Sequence, residues 1–102
     1  MTAYITLGLN IPTGGVVNPL VRKEVRAIIK DRAQLYGWTV HTYARGEGFY
    51  QGEVEPCYIW ALSGLYRTEA HVLAQDLAIL CEQECVCVTF GSPVFVTQDG
   101  SY

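Results

Sequence analysis

Apolar Ile5, Leu7 and Leu9 alternate with Tyr4, Thr6 and Gly8, the period of a strand with one buried face. Asn10 to Val17 breaks that alternation with Pro12, Gly14 and Gly15, and Asn18-Pro19 then supplies a helix cap followed by proline at the first helical position. Val21, Val25, Ile28, Ile29, Leu35 and Tyr36 recur near helical spacing up to Gly37, while Arg22, Lys23, Arg26, Lys30 and Arg32 fall mostly on the other, solvated face. A second strand is predicted over Trp38–Ala44 and a third over Cys57–Leu62, entered through Pro56; the two should pair. Thr68 caps a second helix whose Leu73, Leu77 and Leu80 form a stripe ending near Glu82. Val86, Val88 and Phe90 alternate with Cys85, Cys87 and Thr89 in a fourth strand. Residues 93–97 could add a short edge strand, and the chain from about 98 reads as a loose tail.

This order predicts an α+β, ferredoxin-like βαββαβ domain spanning residues 1–102: a four-stranded antiparallel sheet with both helices on one face. With Tyr4, Thr6, Thr39, His41, Tyr43, Tyr58, Trp60, Cys85, Cys87 and Thr89 on one side of the strands, or their alternates, the open face should pack against other subunits. Composition supports that expectation. Of the 102 residues, 50% are hydrophobic and only 17% charged, so a homo-oligomer is predicted.

A net charge of −3 without a basic stripe argues against nucleic acid and leaves a cationic or zwitterionic small ligand easier to hold. No basic leader or long apolar run is present, so the reading is a soluble, cytoplasmic protein with no membrane partner. Cys85 and Cys87 lie two apart on a strand and cannot bridge, and all four cysteines read as reduced and structural. The Cys81, Cys85, Cys87 group with His71 upstream matches no usual zinc spacing, so no metal site and no cofactor are assigned.

The stretch from Arg45 to Trp60 holds the candidate chemistry. Gly46, Gly48 and Gly52, the aromatics Phe49 and Tyr50, and Glu47, Glu53 and Glu55 read as a long binding loop on a sheet edge. Glu53 and Glu55 would share a face at ~6.6 Å between Cα atoms, a spacing that invites a glycosidase reading, but a chain this small has no sugar cleft. Glu55, just before Pro56 where the loop enters an apolar strand, can point at a ligand. Beside it, Phe49 and Tyr50 could attract an ammonium or sulfonium by ~0.5–2 kcal/mol. His41 and His71 have no nucleophile at a recognisable spacing and read as structural, and Gly46 to Gly48 forms no phosphate loop.

Gly48-Phe49-Tyr50, the Glu55-Pro-Cys-Tyr-Ile-Trp entry, the long second helix and Glu82-Gln83-Glu84-Cys85-Val86-Cys87-Val88 together resemble the bacteriophage S-adenosylmethionine (SAM) lyases, formerly called hydrolases. The resemblance implies a ferredoxin-like trimer with sites between subunits. It also implies cleavage of SAM into 5′-methylthioadenosine and homoserine lactone, with phage counter-defence (anti-restriction) in the host cytoplasm as the setting. By matching position, Glu55 would hold the sulfonium or amino group and Tyr50 would orient the methionine part; Gly48, Phe49, Gln83 and Glu84 would complete the substrate site. Two other classes use the same fold: a nucleotide-sequestering sponge without turnover, and an inhibitor that binds a host protein.

Overall fold

The computed structural model describes residues 2–50 and 52–101, the side chain of Tyr50 excepted. Seven elements follow one another: β1 (Thr2–Gly8), α1 (Pro19–Tyr36), β2 (Thr39–Tyr50), β3 (Glu53–Ser63), α2 (Arg67–Leu80), β4 (Cys85–Phe90) and β5 (Ser92–Thr97). The strands form one antiparallel sheet in the order β2-β3-β1-β4-β5. This is the expected ferredoxin-like α+β arrangement with one strand more than the four predicted, because residues 92–97 pair along their whole length with β4.

Both helix starts follow from local chemistry. Asn18 accepts a hydrogen bond from the Leu20 amide at 2.8 Å with Pro19 behind it, and α1 stops where Gly37 turns left-handed at φ 76°. The second helix begins before Thr68, since Glu69 reaches back to accept from the Tyr66 amide at 2.8 Å and so caps the first turn. Val25, Ile29 and Ala33 of α1 and Ala70, Leu73, Ala74, Leu77 and Ala78 of α2 are buried against the sheet. Leu35 and Tyr36 lie off that stripe and stay exposed.

Register settles which side chains share a face. Ile5 pairs with Trp60 and Leu7 with Tyr58, so these aromatics sit beneath the helices, where Tyr43 lies with its ring centre 5.3 Å from that of Trp60. The aromatic surface expected on the open face is therefore divided, with Tyr4, Thr6, Thr39, Cys85, Cys87 and Thr89 of that group left on the helix-free side. The basic face of α1 is not wholly solvated either: Arg22 Nη1 donates to the Tyr58 hydroxyl at 3.4 Å and Arg26 covers the Tyr43 ring. That hydrogen bond is the first cause holding the Tyr58 phenol below its usual pKa.

The greatest departure lies in the stretch read as a long loop. β2 runs through Ala44 to Tyr50 with β3 paired beside it from Glu53, and the connection narrows to residues 51 and 52, where Gly52 takes φ 81°. Gly46 and Gly48 are extended strand residues opposite Cys57 and Glu55. Glycine-rich composition imitated a loop because a bare strand and a turn use the same residue. At the other end, the chain turns after β5, and Thr97 N donates to the Ser101 carbonyl at 2.9 Å. The Asp99 carboxylate accepts from the Thr97 and Ser101 hydroxyls there, which lowers its pKa to about 2.

Candidate functional site

The helix-free face of the sheet carries a cavity of about 400 Å³ at the Gly8 end of β1, within the range of ligand sites. Strand alternation builds its floor: Thr6 and Gly8 from β1, Gly48 from β2, Glu53, Glu55 and Cys57 from β3, and Cys85 and Cys87 from β4. Asn10, Ile11 and Pro12 overhang one side, Gln83 and Glu84 stand where α2 passes into β4, and Phe95 closes the β5 side. Phe49, 81% exposed, reaches the cavity from the end of β2.

Glu55, Phe49, Gly48, Gln83 and Glu84, five of the six residues singled out from sequence, thus line one space. The sixth, Tyr50, ends β2 opposite Glu53, and its side chain is outside the described residues. Neither histidine lines the cavity. His41 lies at the bulge in β2 with Nε2 at 2.7 Å from the Ser63 hydroxyl, and His71 is on α2, its pKa lowered first by burial.

Three carboxylates, Glu53, Glu55 and Glu84, face this space, and no lysine, arginine or histidine is among its described lining residues. Like charges held together favour any cation that enters. Glu55 is held in place: its carboxylate lies over Gly8 and Oε2 accepts from the Asn10 amide at 3.1 Å. The Asn10 carbonyl accepts in turn from Gln83 Nε2 at 2.9 Å, and the same nitrogen donates to the Cys81 carbonyl at 3.1 Å. Gln83 is 5% exposed, so its amide works mainly as an internal brace. Sequence reasoning missed Gly8, Asn10 and Cys57. Gly8 alone carried a signal, as an isolated glycine in a strand marks close approach by another group.

Among solved structures, a phage SAM lyase in the apo state superposes with a TM-score of 0.62, 22% identity, and coverage of 94% of this chain and 87% of that one. A phage SAM lyase in complex with S-methyl-5′-thioadenosine gives a TM-score of 0.57 at 18% identity, covering 94% and 88%. The chain shares the phage SAM lyase fold. No family model and no curated protein matches at the sequence level.

The two buried thiols, Cys57 and Cys81, are not activated nucleophiles. Burial first, and the Glu55 charge second, raise the Cys57 pKa, while burial and then Glu24 push Cys81 up to about 11. Among the described residues no group of three or more His, Cys, Asp or Glu could hold a metal ion, and no helix is long and apolar enough to cross a membrane. Iodoacetamide at pH 8 is expected to label half-buried Cys87 well before Cys57 and Cys81, read by peptide mass spectrometry. Rapid labelling of Cys81 in the folded protein would contradict the buried, neutral thiol.

Proposed function

We propose that the protein is a SAM lyase that forms 5′-methylthioadenosine and homoserine lactone by intramolecular displacement. The observation that carries this reading is the Glu55 carboxylate, fixed by the Asn10 amide on the floor of a cavity whose described lining residues include three carboxylates and no lysine, arginine or histidine. SAM brings a sulfonium and an ammonium to such a site, and a similar structure holds methylthioadenosine. The phosphorylated ligands of a nucleotide sponge would meet three carboxylates there instead.

The reaction asks little bond-making of the protein. A carboxylate oxygen of the substrate attacks its own Cγ, the Cγ–S bond breaks with its electron pair going to sulfur, and a five-membered lactone closes beside a neutral thioether. No proton moves and no water is added. Folding the methionine chain into that attack conformer is an orientation task that can contribute several kcal/mol. Because the sulfonium charge vanishes along the path, a carboxylate beside sulfur would favour the ground state, whereas one beside the ammonium keeps its partner throughout. Glu55 therefore holds the ammonium, Tyr50 orients the methionine part, and Gly48, Phe49, Gln83 and Glu84 shape the rest. The working form is a homo-oligomer, a trimer with sites between subunits, and depletion of SAM in the host cytoplasm serves phage counter-defence.

The test is incubation of the purified protein with SAM at neutral pH, beside a protein-free control, with chromatography of the products. Methylthioadenosine and homoserine lactone should appear together and faster than in the control. Homoserine without lactone would replace the displacement by hydrolysis. No product at protein concentrations near the substrate's would remove the lyase reading, and stabilisation by methylthioadenosine in a thermal scan would then leave a binding protein.

A further inference from the structure

We infer that Gly8 is a positioning residue, kept without a side chain so that the Glu55 carboxylate can lie across β1 and face the ligand. Its use rests on Glu55 being the ligand-holding group. β1 and β3 pair with Gly8 opposite Cys57, which places Gly8 diagonal to Glu55 on the open face. A Cβ built on Gly8 would overlap Glu55 Oε1 and lie 2.6 Å from Cδ and 2.8 Å from Oε2. Those separations are far inside van der Waals contact, ~3.5–4.0 Å between carbons.

The backbone does not explain this glycine. Gly8 is absent from the positions with positive φ, so any residue could adopt its extended conformation. Crowding of the open face does not explain it either, since a Cβ on Gly46 or Gly48 would meet its nearest neighbour at an ordinary 3.9 Å. At Gly8 the obstacle is the functional group itself. That group has little freedom to retreat. Oε2 is bound by the Asn10 amide, and the Asn10 peptide is held from its other side by buried Gln83. An alanine at position 8 would lift the carboxylate off the strand and break its bond to Asn10. Displacement of a ligand-holding group by ~1 Å can cost 100-fold in rate.

A double-mutant cycle between Gly8→Ala and Glu55→Ala tests this. Each single change is expected to bring kcat/KM for SAM to a similar low value, within about threefold of the other. Gly8→Ala should cost nothing further once Glu55 is alanine, because no carboxylate remains to be displaced. Multiplicative losses in the double variant would overturn the inference. A second readout needs no turnover: the Asn10 amide proton, shifted downfield by its carboxylate partner, should move upfield alike in both single variants by NMR. An unmoved Asn10 amide in folded Gly8→Ala protein would equally overturn it. If wild-type protein does not cleave SAM, the lyase reading fails while this amide measurement still decides the role of Gly8. Should Gly8→Ala fold poorly, recovery of its melting temperature on adding Glu55→Ala supports the overlap, and no recovery refutes it.

Discussion

Glu55→Gln is expected to lower kcat/KM for SAM at least 100-fold while leaving the oligomeric state, whatever it is, and the melting temperature essentially unchanged. The two side chains have the same shape, and the amide oxygen of glutamine can still accept from the Asn10 N–H, so the brace through Asn10 to Gln83 survives. What disappears is the charge. A charged hydrogen bond in a partly enclosed site contributes ~1.5–3 kcal/mol, and the glutamine NH₂ would also present a donor to an ammonium that needs an acceptor. A 100-fold change is ~2.7 kcal/mol at 1.36 kcal/mol per decade.

The division of that loss is informative. If Glu55 grips the ammonium, it fixes the rotamers that bring the substrate carboxylate onto Cγ, so KM should rise and kcat should fall together. A carboxylate beside the sulfonium predicts another outcome, raised KM with kcat unchanged or higher, because ground-state stabilisation has been removed. Steady-state kinetics on a variant of wild-type stability separates the two. Unchanged kinetics would take Glu55 out of the site.

Much of this site was legible in the chain because charge and spacing are local properties. Glu55 before Pro56 marks an acid at the mouth of an apolar strand, and the strand period then fixes its face. The arrangement around it was not legible, since it depends on registers among three strands. Gly8 meets Glu55 only because β1 lies between β3 and β4, and the Asn10 amide meets it only because residues 10–17 fold back over that end. The supposed loop shows a limit of composition itself. Gly46 and Gly48 look like turn residues in one dimension, whereas next to β3 they are bare positions on a sheet face. The open-face aromatics went astray for a related reason: period-two alternation separates two faces without saying which one the helices cover.

The largest stability effect is expected from Trp60→Ala, a loss of ~3–5 kcal/mol read as a lower urea midpoint at unchanged slope. Trp60 is 2% exposed and pairs with Ile5 on one side and Tyr43 on the other, with its ring centre 5.9 Å from that of Tyr58. Removing the indole empties a space bounded by α1 and three strands that cannot easily collapse, since sheet registers hold its walls. Against a total of ~5–15 kcal/mol for a domain of this size, that is a large share. The consequence reaches the site through β3. Trp60 faces the helices and Glu55 faces the cavity on the same strand, so the indole wedged under α1 opposes a one-residue slip that would turn Glu55 to the wrong side. Trp60→Phe, which keeps a ring on that face, should retain most of the stability and the same SAM turnover per folded molecule. A loss below ~1 kcal/mol for Trp60→Ala would mean that the aromatic cluster is not what fixes β3, and the register argument for Glu55 would fall with it.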